Sequence, residues 1–125
     1  MNLISFNQNR TFTYQEAQQL LPIVYKITHS VFYQVKTLVQ RAEVIRGVNA
    51  DQAAKIETDI QQLVDSWYDK MSKLGAKPKG LWLADFDNGK GYFCWKFPET
   101  ELQHWHGYND GFSARKKIDL SSNPQ

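Results

Sequence analysis

Between Thr13 and Arg46 the apolar side chains recur at helical spacing: Ala17, Leu21, Val24, Thr28, Val31, Val35, Leu38, Ala42 and Ile45 follow in steps of four and three. Thr28 is the polar exception in that series. This period makes one face of a helix apolar along its whole length, and at ~1.5 Å rise per residue the helix spans on the order of 50 Å. A rod of that length cannot cover its own stripe, so the rest of the chain has to. Thr13-Tyr14-Gln15-Glu16 has the form of a capping box, which fixes the start over 13–46. Pro22 removes a backbone donor and predicts a bend, while the stripe stays in phase across it, as one bent helix requires.

Gly47 is placed to close this helix in the left-handed conformation, with Asn49 or Asp51 capping the next. From Ala53 the positions Ile56, Ile60, Leu63, Trp67, Met71 and Leu74 again step by threes and fours, so the sequence predicts a second helix over 51–74. Gly75 ends it and Pro78 prevents continuation. A connection this short makes the helices antiparallel neighbours.

After Pro78 the aromatic residues adopt a period of two, the pattern of strands. Leu81–Phe86 and Gly91–Phe97 flank Asp87-Asn88-Gly89-Lys90, and Asn-Gly is a strong hairpin turn. Glu101–His106 predicts a third strand, with a short strand or tail after Arg115. Residues 1–12 read as a lead-in able to add an edge strand. The expected architecture is a single α+β domain over 1–125: a long antiparallel helical hairpin packed against a small antiparallel β-meander over 80–118.

Charge narrows the function classes. Residues 1–74 carry eight Lys/Arg and seven Asp/Glu, and residues 75–125 carry seven and six, so neither half is a basic arm. Only Arg115-Lys116-Lys117 clusters positive charge, which argues against a phosphate-binding surface. No apolar run reaches the ~18 residues that span a bilayer. Met1-Asn2-Leu3-Ile4-Ser5 lacks the basic region and apolar core of a secretion signal, so the expected location is cytoplasmic, without a membrane partner. Cys94 is the single cysteine, which leaves no internal disulfide.

Candidate chemistry gathers near the C-terminal end. In an extended Glu101–His106 segment, His104 and His106 share one face, as two ligands of a zinc-type ion would; Glu99, Asp85, Cys94 or Asp110 would supply a third. Cys94 beside His104 or His106 would make a thiol nucleophile, against the ordinary role of a small buried apolar group. Trp82, Tyr92, Phe93, Trp95, Trp105, Tyr108 and Phe112 interleave with Lys79, Lys90, Lys96 and Arg115, as in a stacking platform for single-stranded nucleic acid or a flat ligand, or as in a sheet laid on two helices. Arg115 is placed to pair with Glu99, Glu101 or Asp110.

Thr11-Phe12-Thr13-Tyr14-Gln15-Glu16-Ala17 with Leu20-Leu21-Pro22, then Tyr92-Phe93-Cys94-Trp95-Lys96, Glu99, Glu101, Trp105-His106 and Gly111-Phe112-Ser113-Ala114-Arg115, resemble the bacterial family called domain of unknown function 2203. Two departures stand out. The family's Gly-Leu-Val-Asp-Phe is represented by Gly80-Leu81-Trp82-Leu83-Ala84-Asp85-Phe86, two residues longer, and His104 replaces an aromatic residue. The resemblance implies a small bacterial protein and carries no activity; the residues it marks as candidate site are Asp85, Glu99, Glu101, His106 and Arg115.

Three functional readings follow. The first is a homodimeric binding or interaction module without catalysis or cofactor, paired through the first helix, which outruns the second by about ten residues and would leave a wet stripe. The second is a metal-dependent or acid–base hydrolase using His106 with Glu99 or Glu101. The third is single-stranded nucleic-acid binding.

Overall fold

A computed structural model describes residues 10–120. Helix α1 runs Tyr14–Arg46 and α2 runs Ala50–Leu74. Five strands follow: β1 Lys77–Gly80, β2 Leu83–Asp87, β3 Gly91–Lys96, β4 His104–Gly107 and β5 Lys116–Lys117. They form one sheet in the order β1-β2-β3-β4-β5, antiparallel throughout, with a 3-10 turn at Phe112–Ala114 before β5. The domain is therefore the expected α+β hairpin and meander.

The local signals act as their chemistry dictates. Thr13 Oγ1 accepts from the Glu16 amide at 3.1 Å and the Glu16 carboxylate returns to the Thr13 amide at 2.9 Å, closing the capping box. Helix α1 is continuous through Pro22. Asn49 caps α2 by accepting from the Gln52 amide, and Gly75 ends it at φ 92, a left-handed conformation that costs glycine nothing. Gly47 differs from expectation: at φ −78 it stays right-handed, because Asn49 donates straight back to the Ile45 carbonyl and the turn closes without a left-handed residue.

Stripe and sheet account for each other. Ala17, Leu21, Val24, Val31 and Ala42 are buried, and Thr28 accepts from Trp67 Nε1 at 2.8 Å, so the polar member of the stripe satisfies the indole of α2. Ala84, Phe86, Phe93 and Trp95 belong to one face of the sheet and to the same core cluster as Ala17, Leu21, Val24, Trp67 and Met71. The length by which α1 (33 residues) exceeds α2 (25 residues) is thus matched within the chain by the sheet.

Strand boundaries depart from expectation where turns intervene. Lys77–Gly80 pairs with β2 although its sequence carries no apolar alternation; pairing with its neighbour, and not its own pattern, makes it a strand. The expected strand from Leu81 begins at Leu83, because Leu81 and Trp82 form the turn out of β1, with Trp82 at φ 68 and its indole 5.2 Å from that of Trp67. The expected strand Glu101–His106 begins only at His104: Leu102 donates to Gln18 and its carbonyl accepts from Tyr14, tying this loop to α1. Of the lead-in, residues 1–9 lie outside the described residues, while Phe12 is buried and donates to the Asp87 carbonyl at 2.7 Å.

Gly91 allows β3 and β4 to meet. A Cβ there would stand 2.6 Å from the His106 carbonyl oxygen and 3.2 Å from Gly107 Cα. Backbone cannot yield as a side-chain tip can, so Gly91→Ala is expected to cost ~1–3 kcal/mol, read as a lower urea midpoint. An unchanged midpoint would contradict the close approach.

Candidate functional site

Alternation along the strands sends Asp85, Tyr92, Cys94 and His106 to the face of the sheet that looks away from the helices, and register sets them side by side: Asp85 opposite Cys94, and Tyr92 opposite His106. The segment after β4 folds over this outer face. Tyr108, Asp110, Gly111 and Phe112 roof a cavity of ≈ 220 Å³ whose floor includes Asp85, Cys94 and His106, with Lys79 at one side. Tyr108 is anchored by donating to Asp87 at 2.6 Å, which pushes its hydroxyl up to about 12, and Asp110 accepts from the Gly107 amide at 3.2 Å.

The floor holds a fully engaged imidazole. His106 Nδ1 lies 2.9 Å from the Gly107 carbonyl, which can only accept, so Nδ1 carries a proton. His106 Nε2 lies 2.9 Å from Asp85 Oδ2, so a second proton sits between imidazole and carboxyl. The two side chains are 4% and 2% exposed. Burial raises the Asp85 carboxyl above its ordinary range, against the opposing pull of His106, Cys94 and Lys79. Burial, reinforced by the Asp85 charge and opposed by that of Arg115, pushes the Cys94 thiol up to about 12. The donor atoms of Asp85, Cys94 and His106 lie within 4.8 Å of one another, and the hydrogen bond among them joins His106 to Asp85. No imidazole nitrogen is left to activate the sulfur, so the arrangement does not make a thiol nucleophile.

The other marked residues form a second network, which reaches the first through the Arg115 charge near Cys94. Arg115 clamps Glu99 through two bonds of 3.1 and 2.7 Å, and Glu99 Oε1 also accepts from the Lys96 amide at 2.8 Å. The Glu99 carbonyl accepts from Trp95 Nε1 at 2.6 Å. Glu99 and Glu101 therefore do not meet His106; Glu101 is exposed and accepts from Gln103. His104 and His106 share a face but part company as ligands: His104 Nδ1 points to Glu99 at 4.0 Å, buried without a hydrogen-bond partner, and burial holds the ring below its ordinary pKa. Of the aromatic residues of the expected stacking platform, Phe93 and Trp95 face the helices at 2% and 0% exposure, while Trp105, Tyr108 and Phe112 stay exposed.

Burial acts to raise the Glu99 carboxyl, but the Arg115 bonds and charge with the Lys96 amide outweigh it and hold it below its ordinary value. A carboxylate depressed by folding stabilises above its unfolded pKa and loses that contribution as pH falls through the folded one. The native chain is expected to lose urea resistance below pH ~4.3 more steeply than Glu99→Gln does. Parallel pH profiles would show that the clamp contributes nothing.

Sequence reasoning set His106 beside Glu99 and Glu101 because they are near in the chain. The available signal for Asp85 was the Asn88-Gly89 turn: a hairpin folded there puts Asp85 across from Cys94. Among the described residues no helix is long and apolar enough to cross a membrane.

No curated protein and no solved structure matches the chain significantly. A family model described as "Uncharacterized conserved protein (DUF2203)" matches residues 10–118, which contain the helical hairpin, all five strands and the roofed cavity. With its model covering most of the sequence, the chain belongs to the DUF2203 family.

Proposed function

We propose that this protein binds a small polar ligand in the cavity on the outer face of its sheet. One observation carries the reading: the buried polar side chains among the described residues are Thr28, Asp85 and His106, and while Thr28 is spent on Trp67 in the core, the other two both line this cavity. A buried ion pair is seldom the cheapest way to stabilise a fold, so its position on a cavity floor points to recognition. The volume suits an ion with its attendant ligands or a molecule of a few heavy atoms, below the ~300 Å³ of drug-sized sites. The setting we propose is the cytoplasm of a bacterium, which keeps the lone Cys94 reduced.

A nuclear magnetic resonance screen of small polar fragments tests it. Shifts confined to Tyr92, Cys94, His106 and Tyr108 are the expected result. A diverse set that moves none of these signals, or moves only others, overturns the reading.

Self-association through α1 is the second reading, favoured by the open groove that Ser30, Tyr33, Gln34, Thr37 and Leu38 form on that helix. It requires sedimentation at twice 14.5 kDa, and a mass of 14.5 kDa ends it.

A further inference from the structure

We propose that Asp85, Cys94 and His106 are the protein ligands of a divalent, zinc-type metal ion whose fourth coordination position opens into the cavity. This rests on the reading of that cavity as a ligand site and names its first occupant. Asp85 Oδ2, Cys94 Sγ and His106 Nε2 come from three adjacent strands, and the group offers one donor from each residue within 4.8 Å of one another. Tetrahedral zinc with bonds of ~2.0–2.3 Å needs donor separations of roughly 3.3–3.6 Å, so the widest pair has to close by about 1 Å, within reach of small side-chain rotations on a fixed sheet. A thiolate, an imidazole and a carboxylate together suit zinc or cobalt better than the all-oxygen sites of magnesium and calcium.

The bond from His106 Nδ1 to the Gly107 carbonyl is what an outer-shell partner of a metal-bound histidine supplies: it fixes the tautomer and presents Nε2 as the free lone pair. What now lies between Nε2 and Asp85 Oδ2 is a proton. A metal ion bound by both atoms displaces it and opens their 2.9 Å separation by about 0.4 Å. The charge balance favours that exchange. Without metal, Asp85 and His106 share one proton between them and Cys94 is a thiol, so the three groups sum to zero. With metal, a carboxylate, a thiolate and a neutral imidazole around a 2+ ion also sum to zero. One metal ion enters, two protons leave, and no net charge is buried. The neighbouring Arg115 is already neutralised by its two bonds to Glu99. Three protein ligands and one open position is the arrangement of zinc sites that hold water or a substrate.

The test is titration of the metal-stripped full chain with Co²⁺ and Zn²⁺. We expect one equivalent bound, a sulfur-to-cobalt charge-transfer band in the near ultraviolet, release of two protons per ion near neutral pH, and a raised melting temperature. Cys94→Ala, which keeps a small apolar group at a buried position, should lose the charge-transfer band and weaken binding beyond the ~10–100-fold typical of deleting an outer-shell partner. His106→Asn should do likewise, whereas Glu99→Gln, outside the donor set, should leave the stoichiometry at one. Absence of bound zinc at micromolar concentration overturns the proposal, as does binding that survives both Cys94→Ala and His106→Asn. Fragment shifts in the zinc-free protein decide the ligand site separately: shifts without metal binding leave the cavity reading intact and remove only the metal.

Discussion

Asp85→Ala is expected to lower the unfolding free energy by ~3–5 kcal/mol, because it takes the carboxylate away from an almost wholly buried His106 and leaves Nε2 unpaired. Both partners are almost wholly buried, and the remaining bond of His106, to the Gly107 carbonyl, cannot compensate. Against a total stability of ~5–15 kcal/mol that is a large fraction, readable by urea denaturation. The more informative experiment replaces both partners with apolar side chains. Asp85→Leu with His106→Leu removes the desolvation cost together with the bond, and buried pairs replaced in this way often end neutral or more stable. The double variant is expected to recover most of the loss while losing fragment and metal binding. A double variant as unstable as Asp85→Ala would mean the pair is kept for the fold.

The second large effect belongs to the other side of the sheet. Trp67→Ala should cost ~3–5 kcal/mol, as it empties a fully buried indole site between α1, α2 and the Trp82 turn. Thr28→Val isolates the polar part of the contact: it keeps the shape and leaves the Trp67 N–H unpaired, for ~1–3 kcal/mol. Trp67→Phe combined with Thr28→Val should then cost less than the sum of the singles, since neither retains an unmet partner. Strict additivity in denaturation would show that the 2.8 Å contact carries no energy.

The contrast between the two faces explains how far the sequence could be read. Helix ends were legible because Thr13, Asn49 and Gly75 act within a few residues of themselves. The Asn88-Gly89 hairpin was legible for the same reason, with Gly89 at φ 89. Strand β1 was not, because Lys77-Pro78-Lys79-Gly80 is held by what it pairs with. The partner of His106 was hidden by distance: Asp85 lies 21 residues away and reaches it across β3, while the nearer Glu99 turns back to Arg115. Asp85, His106, Glu99 and Arg115 were all visible as candidates, but which carboxylate meets His106 and which meets Arg115 is settled by the fold and not by nearness in the chain.

That dependence on register has a consequence for how the donors stay together. Slipping a strand by one residue inverts every side chain on it, so misthreading β2 past β3 by a single position would swing Asp85 towards the helices and an apolar neighbour into its place. Asn88 guards against this by accepting from the amides of both Lys90 and Gly91, which locks the hairpin to one length. A loop that touches none of the three donors thereby acts as the gauge that holds two of them in line.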